Sequence, residues 1–254
     1  MLKTILARAH QKRRTIAFPK APPTLPDRFR GRPEIDSTKC LIGCQVCADV
    51  CPTDAIAVTG TGVRMDLGRC LFCPECERAC REGAIRLTTE YRLAASDRQA
   101  LVLGQNEFRL AEALDKESRR LFGRSLRLRQ VSAGGCNGCE ADILVLNTVV
   151  YDLGRFGIQF VASPRHADGL LVTGPVTRNM DSALRQTYEA VPAPRVVIAV
   201  GACAISGGLY RGLAEQQDGV DGILPVDLYV PGCPPHPATI LDGLLRLLGR
   251  IDSA

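Results

Sequence analysis

From residue 126 onward, short apolar stretches alternate with longer amphipathic ones. Residues 169–172 and 195–200 are almost entirely apolar and predict buried strands, whereas 181–190 has the spacing of a helix with one apolar face. Strands are predicted at 126–131, 158–161, 169–172, 195–200 and 226–230, and helices at 140–150, 181–190 and 239–248. Apolar strands that alternate with helices are typical of a parallel, doubly wound α/β sheet. Such sheets bind ligands beyond the carboxyl ends of their strands, so we expect functional residues there.

The first half of the chain has a different pattern, in which short apolar segments lie between clusters of cysteine. Residues 54–58 and 83–87 are predicted strands at matching offsets behind two cysteine runs, as in an internal repeat. Residues 106–123 have helical spacing, with Gly123 as a C-terminal stop. The pattern of residues 1–8 fits a short amphipathic helix lying on a membrane surface or on a partner helix. No stretch approaches the roughly 18 consecutive apolar residues of a membrane-spanning helix.

The twelve cysteines of this 254-residue chain fall into three groups of four, with none left over. The groups are Cys40, Cys44, Cys47 and Cys51; Cys70, Cys73, Cys76 and Cys80; and Cys136, Cys139, Cys203 and Cys233. Six disulfides are arithmetically possible, but disulfide-dense chains are usually small and secreted, and no signal peptide is recognisable. Zinc ribbons separate two C-x-x-C pairs by roughly a dozen or more residues. Four cysteines packed within so short a span, twice, instead favour [4Fe–4S] clusters.

The first two cysteine groups have spacings close to those of bacterial ferredoxins. The run from Cys70 to Cys80 has the C-x2-C-x2-C-x3-C spacing, although Arg81 stands where a proline usually follows. The run from Cys40 to Cys51 keeps the proline but has one extra residue between its first two cysteines. This segment resembles a two-cluster ferredoxin, in which the fourth cysteine of each run ligates the other cluster. The resemblance implies Cys40, Cys44, Cys47 and Cys80 for the first cluster, and Cys70, Cys73, Cys76 and Cys51 for the second.

The third group of cysteines is scattered in sequence but follows predicted strands of the α/β half. Cys136 and Cys139 follow its first strand, and Cys203 and Cys233 each follow a later one. Loops after parallel strands meet at one edge of the sheet, so these four residues are candidates to hold one further cluster. Glycines crowd the same loops and let the backbone approach a bulky cofactor closely. A phosphate or dinucleotide loop is not expected, because the sequence contains neither G-x-x-x-x-G-K-[ST] nor G-x-G-x-x-G after the first strand.

Four motifs occur in order in these loops. They are GGCNGCE at 134–140, SPRHAD at 163–168, GACAISGG at 201–208 and VPGCPP at 230–235. Together they resemble the small electron-transfer subunit of membrane-bound [NiFe] hydrogenases of the formate hydrogenlyase type. The same superfamily includes the 20 kDa subunit of respiratory complex I, and the upstream segment resembles the two-cluster subunit of such complexes. The chain therefore resembles a fusion of two usually separate subunits, which implies a flavodoxin-like sheet carrying one cluster behind a ferredoxin-like domain.

The resemblance implies electron relay through three [4Fe–4S] clusters to or from a nickel–iron centre on a separate large subunit. Further expected partners are the membrane subunits of such a complex and an upstream donor such as formate dehydrogenase, carbon monoxide dehydrogenase or ferredoxin, but no nucleic acid. Complex I–type chains typically have adjacent cysteines at the first ligand site, whereas two residues separate Cys136 from Cys139. This favours a hydrogenase over a complex I–like quinone oxidoreductase; a stand-alone ferredoxin-like carrier is the remaining alternative.

Glu140, directly after Cys139, has two possible roles. It either passes protons near the catalytic interface or stabilises the first turn of the following helix, where a carboxylate is favoured.

Positive charge is concentrated at the N-terminus, where residues 1–32 hold nine Lys or Arg against one acid in a chain of net charge +5. Such an arm suits anionic lipid headgroups or an acidic partner. Export through a twin-arginine signal is not expected, because a proline-rich segment and not an apolar one follows Arg13 and Arg14. We expect a peripheral position on the cytoplasmic side of the membrane. The predicted divisions are a basic, proline-rich arm (1–33), a ferredoxin-like domain (34–92), a helical connector (93–125) and a hydrogenase small subunit-like domain (126–254).

Overall fold

The computed structural model of the protein describes residues 2–60, 62–104 and 108–251. In the first half, the helices are α1 (Leu2–Gln11), α2 (Val46–Asp49), α3 (Glu75–Ala79) and α4 (Lys116–Phe122). The strands of this half are β1 (Pro33–Ile35), β2 (Ile56–Thr59), β3 (Gly62–Asp66), β4 (Ile85–Leu87) and β5 (Val102–Leu103). Within these ranges and the remainder of the described chain, none of the helices has the length and apolar character needed to cross a membrane.

The cysteine-rich half is built on two small antiparallel sheets. β1 pairs with β4, and β2, β3 and β5 form the second sheet in that order. The strands predicted behind the two cysteine runs are confirmed as β2 and β4. Along β3, Val63 and Met65 are buried and Arg64 lies on the opposite face, which is the two-residue period of a half-buried strand.

The helix predicted over residues 106–123 is wrong for most of its length. Residues 106 and 107 lie outside the described part of the chain, and the helix observed is only Lys116–Phe122. The physical reason lies in the backbone before residue 115. Ala111 donates its N–H to the carbonyl oxygen of Ala94, and Leu114 donates its N–H to that of Leu247. These N–H groups therefore bond to other segments and not within a helix. The helix begins where the Asp115 carboxylate accepts the first free N–H groups, those of residues 117 and 118.

The second half is a three-layer α/β arrangement. Its strands are β6 (Leu126–Ser132), β7 (Ile158–Phe160), β8 (Gly169–Thr173), β9 (Val196–Val200) and β10 (Leu228–Val230). Its helices are α5 (Gly138–Val145), α6 (Arg178–Glu189), α7 (Ala202–Ser206) and α8 (Pro237–Leu247). Every pairing is parallel, in the order β10-β9-β8-β6-β7. This is the flavodoxin-like order, so the predicted fold class is confirmed.

Alternate residues of the strands contribute to two different cores. Ile198 and Val200 of β9 pack with Leu228 and α8 on one face. Val197 and Ala199 pack on the other face, in a core that also contains residues of α6 and of the cysteine-rich half. Each face of the sheet is therefore covered, as the continuous apolar runs of β8 and β9 require.

The cysteine-rich half is joined to the sheet through specific contacts as well as through this shared core. The Ser206 hydroxyl donates to the Gly68 carbonyl oxygen over 2.9 Å. Ala95 forms an antiparallel bridge with Tyr229 of β10. An added side chain at position 68 would collide with the side chains of Ile205 and Arg98, so glycine is required for the close packing here. These contacts fix the cysteine-rich half against the edge of the sheet at which α7 begins.

The N-terminal arm is anchored to the folded protein beyond α1, whereas the residues of α1 itself are exposed. Helix α1, predicted from residues 1–8, is confirmed, although Met1 is outside the described residues. Further along, Arg155 donates to the carbonyl oxygens of Ile16 and Phe18, each over 2.9 Å. The Phe18 ring is buried and meets the Tyr91 ring edge-on at 6.2 Å. The arm is therefore part of the folded structure from about Thr15 onward.

We expect Phe18→Ala to destabilise the protein by about 3 kcal/mol, because it removes a buried ring and leaves a cavity beside Tyr91. Urea unfolding of the metal-loaded protein under nitrogen, followed by circular dichroism, measures the effect. Leu6→Ala is the matched control, since Leu6 is 60% exposed and its truncation should change stability by less than about 0.5 kcal/mol. Equal midpoints for the two variants would show that the arm is not anchored through Phe18.

Candidate iron–sulfur sites

The first candidate site is a cavity of about 550 Å³ between α2 and α3. Its cysteines are Cys40, Cys44, Cys47 and Cys80. Cys47 lies within α2, whereas Cys80 directly follows the last residue of α3. Apolar side chains, including Val63 and Ile85, complete the wall. Three cysteines of the first run therefore share a cavity with the last cysteine of the second run.

The second candidate site is a narrower cavity of about 20 Å³ with the reciprocal composition. Its cysteines are Cys51, Cys70, Cys73 and Cys76. Ile56 and Met65, from β2 and β3, form part of the wall, so the two strands cover this site as well as pairing with each other. The crossed grouping is the one that the ferredoxin resemblance implies. The ligand assignment itself stays a prediction.

Backbone N–H groups point at sulfur in both sites. Ala55 donates to the Cys51 sulfur over 3.2 Å, and Ala84 donates to the Cys80 sulfur over 3.3 Å. Each donor follows its cysteine by four residues, so the internal repeat extends to the hydrogen bonds. Phe72 donates to the Cys70 sulfur over 3.3 Å. Hydrogen bonds of this kind stabilise negative charge on sulfur and are one of the means by which proteins set cluster potentials.

The pKa values of the cysteines indicate whether the sites suit a metal cluster. Burial raises the pKa of Cys70 to about 12 and that of Cys76 to about 11, and neighbouring cysteines add to both increases. Four such groups become thiolates together only when positive charge compensates them, and a coordinating metal deprotonates thiols outright. An all-cysteine donor set in a partly apolar cavity therefore fits an iron–sulfur cluster.

A single metal ion fits the described geometry less well. In the described ranges, no three His, Cys, Asp or Glu side chains are grouped closely enough to hold one ion. Four thiolates at about 2.3 Å from a tetrahedral zinc would be only about 3.8 Å apart.

The third group of cysteines converges at the carboxyl edge of the parallel sheet. Cys136 and Cys139 lie in the loop and first turn after β6, Cys203 lies in α7 after β9, and Cys233 follows β10. Burial raises the pKa of Cys139, and the proximity of the other three sulfurs raises it further. Cys136 and Cys233 are exposed, whereas the other two are half-buried. The group therefore has one side within the protein and one side open.

Two glycines leave room for sulfur at this edge. A Cβ at Gly201 would lie 2.5 Å from the Cys139 sulfur, and one at Gly208 would lie 2.8 Å from the Cys203 sulfur. Both glycines also have positive φ, at +91° and +56°. A larger residue would displace a sulfur as well as strain the backbone. These positions explain the glycine content of the loops better than a general preference for turns does.

Glu140 lies where two neighbouring strands of the sheet end. Its carboxylate accepts hydrogen bonds from the hydroxyls of Ser132 (2.5 Å) and Thr173 (2.6 Å), which are paired residues at the ends of β6 and β8. Burial alone would raise the pKa of Glu140, but these hydrogen bonds outweigh it and lower the pKa. The carboxylate thus joins the first turn of α5 to two strands, and a role in proton transfer stays a prediction. Sequence reasoning missed both hydroxyl residues, although each is a polar residue directly after a predicted strand.

The crossed grouping of cysteines predicts which pairs of substitutions act on one cluster. Cys44→Ala with Cys80→Ala should affect one [4Fe–4S] cluster, whereas Cys70→Ala with Cys80→Ala should affect two. Mössbauer spectroscopy of protein enriched in ⁵⁷Fe counts the clusters that remain. If the first pair affected two clusters and the second pair one, each run would hold its own cluster.

Gly208→Ala should selectively remove the third cluster, because the new methyl group would collide with the Cys203 sulfur. Gly212→Ala is a matched control: its φ is +78°, but nothing lies within 4 Å of the added Cβ. Both variants should lose about 1–2 kcal/mol through backbone strain. Only Gly208→Ala should also lose about four iron atoms per chain by metal analysis. Equal iron content in the two variants would contradict the placement of the third cluster.

The sequence of this chain matches a family model described as the 20 kDa subunit of NADH–ubiquinone oxidoreductase, over residues 136–247. The match begins at the first cysteine of the third group and ends at the last residue of α8. It therefore covers the whole of the third candidate site. The two ferredoxin-like runs lie outside it.

Three relatives illustrate the range of this similarity. Formate hydrogenlyase subunit 7 of Escherichia coli is 46% identical over 129 residues, which are 51% of each chain. A probable membrane-bound hydrogenase subunit of Pyrococcus furiosus is 44% identical over 132 residues, which are 52% of this chain and 79% of that one. An NADH-quinone oxidoreductase subunit of Desulfovibrio desulfuricans is 48% identical over 109 residues, which are 43% of this chain and 59% of that one.

The match thus spans about half the length of the formate hydrogenlyase relative and most of the Pyrococcus protein. The resemblance that the motifs of the sequence indicated is confirmed by these similarities. The chain belongs to the family of the 20 kDa subunit of NADH–ubiquinone oxidoreductase, whose members bind an iron–sulfur cluster and are oxidoreductase subunits of hydrogenases and NADH–quinone oxidoreductases.

Proposed function

We propose that this chain is the electron-transfer subunit of a membrane-associated [NiFe] hydrogenase complex. The observation that carries the electron-relay part of the proposal is the closeness of the second and third cysteine groups. Partial burial raises the pKa of Cys233, and Cys136 of its own group and Cys73 of the second group raise it further. Cysteines of two candidate sites, from different halves of the chain, are therefore close enough to interact electrostatically.

The space between these two groups supports the same proposal. Leu71, Phe72 and Cys233 line one cavity of about 190 Å³. Phe72 is buried and donates its N–H to the Cys70 sulfur, so the residue belongs to the wall of the second site as well. Iron–sulfur clusters supply reversible one-electron transfer when bound. The role of the chain's own residues is to hold successive sites close together, limit water access and direct N–H groups at sulfur.

The first site supports an exchange of electrons with an outside partner. Ile42 is fully exposed, Leu41 is 62% exposed and Val46 is 45% exposed, all beside the first cavity. Cys44 is itself an exposed cysteine. Exposed apolar side chains around a redox site favour a docking surface for another protein. We assign this surface to the upstream donor or acceptor, for which formate dehydrogenase, carbon monoxide dehydrogenase and ferredoxin are candidates.

The open side of the third group supports docking of the catalytic subunit. Cys136 and Cys233 are both exposed within the described chain, so part of the group is accessible to a partner. A large subunit seated there would carry the nickel–iron centre and exclude water from the cluster. Membrane subunits would hold the complex at the cytoplasmic face of the membrane.

The hydrogenase reaction is favoured over quinone reduction by the spacing of the first two ligands. Cys136 and Cys139 are separated by two residues, as in the hydrogenase-like subunits that the sequence resembles. Relatives named as hydrogenase and formate hydrogenlyase subunits agree with this choice. The second candidate is a complex I–like quinone oxidoreductase, which the 48% identity to an NADH-quinone oxidoreductase subunit supports. A stand-alone ferredoxin-like carrier is the third candidate.

Nickel and iron content of the tagged complex, purified anaerobically from membranes, tests the proposal. We expect about one nickel per copy and iron above the roughly twelve atoms of three [4Fe–4S] clusters. Iron near twelve without nickel would replace the hydrogenase with the complex I–like candidate. Zinc in place of iron would overturn electron transfer altogether. Recovery of a stable single chain with all its iron and no associated subunit would favour the stand-alone carrier.

A further inference from the structure

We propose that α1 and the basic segment behind it bind the surface of an anionic lipid bilayer, with the helix lying in the plane of the interface. None of the residues of α1 is buried against the rest of the described chain. A ten-residue helix that buries none of its residues is marginal in water, so a surface that covers its apolar face has to come from outside the described chain. This inference concerns attachment and holds for either reaction considered above.

The apolar and basic residues of α1 lie on separate parts of its surface. Leu2, Ile5 and Leu6 are 72%, 64% and 60% exposed, and their spacing puts them on one face. At 100° per residue, Lys3 and Arg8 lie on opposite sides of that apolar face. Helices that lie in a membrane interface have this arrangement, because long basic side chains reach the headgroups while the apolar face enters the acyl boundary.

The charge of this segment points to an anionic surface. The first twenty residues contain six Lys or Arg and no Asp or Glu. They are Lys3, Arg8, Lys12, Arg13, Arg14 and Lys20. The helix ends at Gln11, and Lys12 takes a positive φ of 56°, so the cations of residues 12–14 follow in a change of chain direction. Each cation close to an anionic leaflet increases the binding constant about fivefold.

Directly behind its arginine pair, this segment is hydrogen-bonded to the folded protein, next to further exposed apolar residues. Thr15 donates its hydroxyl to the Val149 carbonyl oxygen over 2.8 Å, and Ile16 donates its N–H to that of Val150 over 2.9 Å. Val149 is 66% exposed and Val150 is 39% exposed. A membrane bound through α1 would therefore meet this edge of the α/β half, which gives the chain a defined orientation on the surface.

A lipid surface fits α1 better than a groove on another protein. Helices that bind in grooves use large apolar anchors at i, i+3, i+4 and i+7. In α1 these positions are Leu2, Ile5, Leu6 and Ala9, and the alanine is too small to fill a pocket. A bilayer needs only a shallow apolar face and flanking cations, both of which are present.

Vesicle flotation of the full chain, purified anaerobically with its clusters, tests the proposal. We expect binding to vesicles of 70% phosphatidylcholine and 30% phosphatidylglycerol, weakening as salt is raised, and little binding to phosphatidylcholine alone. Ile5→Gln with Leu6→Gln should weaken binding at least about tenfold, because the apolar face is lost. Thr4→Gln with Ala7→Gln, on the opposite face of the same helix, should bind as the unsubstituted chain does.

A second pair of variants tests the contribution of charge. Arg13→Gln with Arg14→Gln should weaken binding roughly tenfold or more, whereas Lys116→Gln with Arg120→Gln on the exposed face of α4 should have no effect. The visible absorbance of the clusters confirms that each variant is intact. The proposal is overturned if the intact chain does not float, if it floats equally with neutral vesicles, or if loss of the apolar face leaves binding unchanged. Metal content does not enter this test, so its failure is separate from failure of the proposed reaction.

Discussion

Four thiol groups around one space resist ionisation, because each is removed from water and each thiolate repels the next. Burial and neighbouring sulfurs together raise the pKa of Cys203 to about 11, as they raise the pKa values of Cys70 and Cys76 in the second site. Metal ions would relieve this resistance, so binding of a cluster would be coupled to folding of the cysteine loops. The crossed grouping strengthens the coupling, because Cys51 and Cys80 each join one site to the other. The N–H donors at Ala55 and Ala84 are placed to stabilise the same charge.

The parallel sheet positions the cysteines of the third group. The cysteines of the third candidate site come from three loops, so their positions depend on the ends of three strands. Glu140 strengthens this edge, because its buried carboxylate accepts hydrogen bonds from Ser132 and Thr173 on adjacent strands and directly follows Cys139 in sequence. The interaction holds the first turn of α5, and with it Cys139, against the two strands with the longest pairing in this sheet. Glu140 therefore influences both the position of Cys139 and the charge beside it.

Much of this arrangement could be predicted from sequence because it is local. The apolar runs of β8 and β9 depend on neighbouring residues, and the strands that they predict were confirmed, as were the strands behind the two cysteine runs. The helix over 106–123 failed because distant carbonyl groups, those of Ala94 and Leu247, compete for its backbone. The hydrogen bond from Ser206 to Gly68 could not be foreseen, since it joins residues far apart in sequence through a fit between two surfaces.

The segment that connects the two halves of the chain is itself paired with both of them. Val102–Leu103 forms β5 in a sheet of the cysteine-rich half, whereas Ala95, only a few residues earlier, bridges to β10 of the α/β half. A flexible linker would leave the two halves in an association equilibrium set by effective concentration. Here the connector is itself paired to both, and Leu93, Leu101 and Leu103 are buried in the shared core. The separation of Cys73 and Cys233 is therefore determined by packing within one chain, so the proposed relay between them would not cross a subunit interface.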